Sequence, residues 1–141
     1  WSAEREQHAA AVTRALIRLL GLEDVQDTPV KHLPFGRRRL VELGRALAAR
    51  PQVLLLDEPA AGLNPTERAK LMEVLQAVRE RFGIAVILVE HDIHLVTKIC
   101  DRITVMNFGQ KIAEGPPAQV FEEEAVKAAY LGNRKVGQAH A

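Results

Sequence analysis

The chain carries a single cysteine in 141 residues, Cys100, which excludes an internal disulfide framework and suits a reducing cytosol. Cys100 itself reads as small core filler. Neither sign of charge is in excess: nineteen Lys and Arg stand against eighteen Asp and Glu, a formal net charge of +1. That balance argues against a nucleic-acid binder and against electrostatic attachment to a membrane. Long hydrophobic runs are missing too. The longest unbroken apolar stretch, Ile84 to Val89, is far short of a bilayer span, and the N-terminus lacks the basic-then-apolar pattern of an export signal. Any membrane association must therefore run through a partner. There are no repeats or low-complexity tracts. What remains, 48% hydrophobic and 26% charged residues, is an ordinary globular composition sized for one domain. The chain opens at Trp1, not Met, and enters a helical pattern with no preceding strand, so it is expected to be the tail end of something longer.

Helices and strands alternate. Val12, Leu16, Leu19 and Leu20 recur at helical spacing and Gly21 closes that helix; residues 24–31 read as loop. A second helix carries Leu40, Leu43, Gly44 and Leu47 on one face and stops at Pro51. Asn64-Pro65-Thr66-Glu67 spells a helix start, with an N-cap side chain, proline at the first helical position and glutamate three residues on. Leu71, Val74, Leu75, Val78 and Phe82 form the apolar face behind it, and Gly83 ends it. The runs 53–57 and 84–89 read as two buried parallel strands of one βαβ unit. A short helix over about 93–99 follows, then strands 102–106 and 111–114 around a hairpin turn at Asn107-Phe108-Gly109, a last helix over 122–131, and a polar tail expected to fray from Gly132.

The most informative run is Val53-Leu54-Leu55-Leu56-Asp57-Glu58-Pro59, four apolar residues ending in two carboxylates. Bounded by Pro51 and Pro59, it fits a central parallel strand whose carboxyl end opens onto the crevice where open α/β sheets bind ligands. One carboxylate there suits Mg²⁺, directly or through water, and its neighbour suits the orientation and deprotonation of an attacking water. A strand that merely ends in a polar turn is the alternative. Glu90-His91-Asp92 holds the mirrored position on the second strand, so both clusters are expected to open into one crevice. His91 can donate a hydrogen bond to a phosphate oxygen; equally, it is a loop residue before an Asp92 N-cap. Gly36-Arg37-Arg38-Arg39 opens the second helix, where the dipole disfavours cations by ~0.3–1 kcal/mol each unless an anion arrives. A solvated basic turn that also contacts Glu42 reads as well.

These pieces, in this order and spacing, resemble the nucleotide-binding subunit of ABC transporters over residues 9–132. Leu33-Pro34-Phe35-Gly36-Arg37 resembles the family's signature motif, Val53 to Asp57 its Walker B strand, and Glu58 its catalytic glutamate. Ala61-Gly62-Leu63-Asn64 resembles the D-loop, and His91 the switch histidine. Asp57 to Pro65, Glu90-His91-Asp92 and Ala129-Tyr130-Leu131-Gly132 further resemble the subunits that drive branched-chain amino acid uptake. The resemblance implies a P-loop NTPase-like parallel sheet flanked by helices, represented by its carboxyl-terminal portion with part of the helical signature subdomain. Residues 1–50 would belong to that subdomain, 51–115 to the ATPase core, and 116–141 to a terminal helix and tail serving docking or regulation. It implies ATP and Mg²⁺ as cofactors: Asp57 holding Mg²⁺ through water, Glu58 activating the attacking water, His91 contacting the γ-phosphate. Leu33, Pro34, Phe35, Gly36 and Arg37 would complete the site of a second ATP-binding subunit, and Ala61 to Asn64 would couple the two sites. Membrane permease subunits and, indirectly, a substrate-binding protein are the implied partners, at the cytoplasmic face of the plasma membrane; nucleic acid is not among them.

Two departures from the family pattern stand out. Pro34 and Phe35 replace the signature serine and glycine, leaving more of the phosphate contact to Gly36 and the helix N-terminus, helped by Arg37. The branched-chain subgroup tolerates such variants. The second departure is larger: no G-x-x-x-x-G-K-[ST] loop and no glutamine loop occur in the sequence, so the β- and γ-phosphates lack their principal holder. The chain thus resembles the carboxyl-terminal half of an ATPase subunit, expected inactive alone. Other readings are an ABC ATPase for another task, such as lipopolysaccharide export or soluble work in translation or repair, and a non-catalytic truncated module that regulates a full-length partner.

Overall fold

Helix α1 (Ala3–Leu20) ends where Gly21 takes left-handed backbone, φ 64°, and its amide and that of Leu22 return to the carbonyls of Arg18 and Ile17. The computed structural model describes residues 2–131, which divide after Glu90 into two compact units. In the first unit, two 3₁₀ turns (Glu23–Val25 and Val30–His32) occupy the expected loop and lead into α2 (Phe35–Ala48). Strand β1 (Val53–Asp57), helix α3 (Pro65–Phe82) and strand β2 (Ala85–Val89) complete it as a βαβ unit. The strands are parallel, in register from Val53 opposite Ala85 to Asp57 opposite Val89.

The start of α3 follows from its sequence. Asn64 Oδ1 accepts from the Glu67 amide at 2.9 Å, the Glu67 carboxylate accepts from the Asn64 amide at 3.0 Å, and Pro65 has no amide to leave unsatisfied. Leu71, Val74, Leu75 and Val78 are buried from α3, and Leu40, Leu43, Gly44 and Leu47 from α2. A Cβ at Gly44 would overlap Leu20, 2.6 Å away, which is why α1 and α2 approach so closely there. Phe82, expected on the buried face, is exposed, because it sits in the last turn of α3 beyond the reach of that core.

The two strands correct the sequence reading. β1 pairs with β2 alone, so among the described residues it is not a central strand. Nor is it buried on both faces: Leu54 is 4% exposed, whereas Leu55 is 71% exposed, Ile87 60% and Val89 61%. Alternation along a strand sends neighbours to opposite faces. Leu54 and the half-buried Leu56, Val86 and Leu88 lie on the covered face; Val53, Leu55, Ile87 and Val89 lie on a face left bare. An apolar run in the sequence records that both faces suit burial, without recording what covers the second.

In the second unit, α4 (Ile93–Ile99) is capped by Asp92, whose side chain accepts from the Leu95 amide at 3.1 Å. Strands β3 (Ile103–Asn107) and β4 (Gln110–Gly115) form an antiparallel hairpin with an irregularity between Val105 and Met106. Its turn is Phe108-Gly109, both at positive φ, 45° and 76°, the backbone that a two-residue hairpin loop requires. Val105, Ala113, Val120 and Val126 form the core here. After a short helix α5 (Pro117–Val120), the single helix expected over 122–131 is replaced by α6 (Glu124–Val126) and a π-type turn (Lys127–Leu131). Tyr130 donates from its hydroxyl to the Met106 carbonyl at 3.1 Å, fixing that turn to the hairpin. The tail from Gly132 lies outside the described residues.

Candidate functional site

Asp57 closes β1, and both it and Glu58 are exposed. Glu58 then takes left-handed backbone, φ 43°, a conformation costing a non-glycine residue roughly 1–2 kcal/mol. Its surroundings hold it there. The Glu58 amide donates to the Val89 carbonyl at 2.9 Å, continuing the ladder one residue beyond Asp57, and its carbonyl accepts from the Ala61 amide at 3.1 Å. Glu90 secures the other side, its Oε1 accepting from the Ala60 amide at 3.0 Å. Ala60 and Leu63 are buried beneath the turn. The chain reversal is thus fixed to the end of β2 by two hydrogen bonds, and the two carboxylates emerge from it into solvent. A cavity of about 250 Å³ opens beside Asp57, lined also by Leu55, Leu56 and Pro59 and, from α2, by Arg39, Glu42 and Leu43.

Residues 61–64 continue directly from this turn to the α3 cap. Gly62 has φ 75°. The Phe35 ring lies against it, with Cε1 3.1 Å from where a Cβ would stand. The segment 33–37 therefore reaches the segment 61–64 within this one unit. Leu33 is buried, Pro34 is exposed and precedes α2 without a side-chain cap, and Phe35 is half-stacked beneath the guanidinium groups of Arg39 and Arg38, 5.2 and 6.0 Å from its centroid. Gly36 is buried. The Arg39 guanidinium also pairs with Glu42 at 3.1 Å, so the basic turn does contact Glu42.

The structure commits Arg37 elsewhere than the resemblance implies. Its guanidinium donates to both Asp24 carboxylate oxygens, at 2.9 and 3.1 Å, and to the Gly21 carbonyl at 2.6 Å, fastening the start of α2 to the end of α1. His91 is exposed and opens the second unit directly before Asp92, whose N-cap role is as the sequence suggests. Sequence reasoning missed Glu90 as an individual: it was visible as part of a polar cluster, but nothing local to it points at the Ala60 amide thirty residues earlier. Among the described residues no group of three or more His, Cys, Asp and Glu could hold a metal, and the strand end itself offers only the two carboxylates of Asp57 and Glu58. That fits a cation that keeps most of its water and takes its remaining ligands from phosphate.

The site is thus a strand-to-helix turn with paired carboxylates, beside a helix start rich in arginine. The ABC transporter family model matches residues 2–61, and that of the branched-chain amino acid ATP-binding cassette transporter matches residues 110–136. Over most of its length the chain is similar to ATP-binding subunits of ABC transporters. It is similar to the high-affinity branched-chain amino acid transport ATP-binding protein LivG of Escherichia coli K12, 38% identical over 130 residues, covering 91% of this chain and 51% of that protein. Against BraF of Pseudomonas aeruginosa, of the same description, it is 43% identical over 127 residues, covering 90% and 50%. The solved structure of cbiO1 from Clostridium perfringens, part of the ABC transporter complex cbiONQ, superposes with TM-score 0.76 at 33% identity, covering 94% of this chain and 53% of that one. The ADP conformation of MJ1267, an ATP-binding cassette of an ABC transporter, superposes with TM-score 0.78 at 29% identity, covering 89% and 50%. The chain spans about half the length of the curated relatives it matches. No described helix is long and apolar enough to cross a membrane.

Proposed function

We propose that this chain is the carboxyl-terminal half of an ATP-hydrolysing subunit of an ABC importer for branched-chain amino acids. The observation that carries the reading is the strand-end turn: Asp57 closes β1, Glu58 is held in costly left-handed backbone, and the bonds to Val89 and Glu90 keep it there. Asp57 would hold Mg²⁺ through water, and that ion, when bound, neutralises charge on the phosphates. Glu58 orients a water and takes its proton at the carboxylate. His91 donates to the terminal phosphate, and Gly36 with its neighbours closes the site of a second ATP-binding subunit, for which residues 61–64 form the coupling segment. Membrane permease subunits anchor the assembly at the cytoplasmic face, and a substrate-binding protein delivers the amino acid outside. The likeness to LivG and BraF supports the substrate class. The bare face of β1 and β2 supports the half-subunit reading, since a parallel sheet is ordinarily covered on both faces, whereas Leu55, Ile87 and Val89 are exposed among the described residues.

Calorimetry tests the reading. The 141-residue chain is expected to show no Mg-ATP affinity in the micromolar range, because its residues act on a nucleotide held by a P-loop it does not contain. The same chain joined to a P-loop-bearing amino-terminal half is expected to bind. Micromolar binding by the chain alone would sink the proposal.

A further inference from the structure

Gly36 has ordinary helical backbone, so conformational freedom does not explain glycine there, and inside a helix glycine is less stable than alanine. Space explains it. A Cβ at Gly36 would overlap the carboxyl carbon and Oε1 of Glu67 and would lie 2.8 Å from its Cγ. The Glu67 side chain cannot swing aside freely, because its Oε2 accepts the Asn64 amide in the capping box of α3. One residue earlier, the Phe35 ring occupies the space above Gly62. Two consecutive residues at the start of α2 are thus seated on two positions bracketing Leu63 and Asn64, and that segment is itself tied to β2 through Glu58 and Ala60.

We propose that Glu67 is a positioning residue. Beyond capping α3, it keys the start of α2 to the turn that follows Glu58, so that a displacement of residues 34–37 is passed to residues 58–64. The contact rests on the fold alone; its consequence for turnover rests on the ATPase reading.

Hydrogen exchange measured by NMR on the 141-residue chain tests the contact. In Gly36→Ala the new methyl must expel the Glu67 carboxylate, so the Asn64 amide is expected to exchange about fivefold faster, the order expected for losing one partly exposed charge-assisted hydrogen bond, while amides inside α3 keep their protection. Leu40→Ala, which weakens α2 without touching Glu67, is expected to leave the Asn64 amide in step with its neighbours. In a Glu67→Ala background, Gly36→Ala should have no further effect on that amide and should change from lowering the urea midpoint to leaving it or raising it, since only the alanine preference of the helix remains. An unchanged Asn64 amide in Gly36→Ala, or an equal loss of stability in both backgrounds, overturns the contact. The consequence is tested in the chain joined to a P-loop-bearing half. Glu67→Ala should lower kcat for Mg-ATP roughly 2- to 30-fold, the range of such couplings, with KM retained, and Glu67→Gln, which keeps the shape and the acceptor, should restore it. If kcat is unmoved by Glu67→Ala while Glu58→Gln abolishes turnover, the positioning role falls and the ATPase reading stands. If Glu58→Gln is also without effect, the ATPase reading falls.

Discussion

Adjacent leucines on β1 offer a direct measure of how one-sided the first unit is. Leu54→Ala and Leu55→Ala delete the same atoms from neighbouring positions, at 4% and 71% exposure. Truncating the buried Leu54 leaves a cavity among α2, α3 and β1, and such changes cost about 2–5 kcal/mol. Complete burial of a leucine side chain is worth about 1.5–3 kcal/mol, so Leu55, with less than a third of its surface covered, has roughly 0.5–1 kcal/mol to lose. Urea unfolding of the 141-residue chain followed by circular dichroism reads both values, and the expected ratio is at least two. Joined to a P-loop-bearing half that covers the bare face, the same Leu55→Ala should rise into the range of Leu54→Ala. Equal costs in the chain alone would mean that the face of Leu55, Ile87 and Val89 is not bare. A Leu55 cost that stays small in the joined protein would mean that the missing half does not cover it.

Two further outcomes follow from local chemistry. The Lys111 ammonium, hydrogen-bonded at 2.8 Å and attracting the charge, holds the Glu114 carboxyl below its ordinary value of 4.5, with Arg102 adding to it. A depressed carboxyl contributes stability that is present above its unfolded pKa and lost as pH falls through its folded one, so acid unfolding of the hairpin should be steeper below about pH 4.5 in the parent than in Glu114→Gln. Glu58→Gly should leave the chain as stable or up to about 1 kcal/mol more stable, because relief of the left-handed backbone offsets the entropy of glycine, where glycine at an ordinary strand or helix site destabilises. Urea midpoints of Glu58→Gly and Gln76→Gly, on α3, give the comparison; a clear loss at Glu58 would show that its backbone is not strained.

What the sequence made legible was local. Asn64, Pro65 and Glu67 announce the α3 cap because every atom of a capping box lies within four residues, and Gly21 and Gly83 announce helix ends because only left-handed backbone ends a helix that way. The Asp57-Glu58 turn was legible from the strand before it and the cap after it. What stayed hidden depends on residues distant in the chain. The run Val53 to Leu56 cannot say that Leu54 is covered while Leu55, among the described residues, is mostly exposed. The basic run at 37–39 suggested an anion, yet Arg37 is spent on Asp24 and Gly21, thirteen and sixteen residues away. Gly36 was read as room for phosphate, and nothing local to it shows that a Cβ there would meet Glu67.

The central claim is that Glu58 is the base of an ATPase whose phosphate holder lies in the other half of the subunit. Steady-state ATP hydrolysis by the joined protein, parent against Glu58→Gln, tests it most directly. The substitution keeps shape and hydrogen bonding and removes the base, so turnover should fall by ~10²- to 10⁴-fold, with Mg-ATP binding by calorimetry unchanged and no rescue by added Mg²⁺. Near-parental turnover in Glu58→Gln would contradict the account.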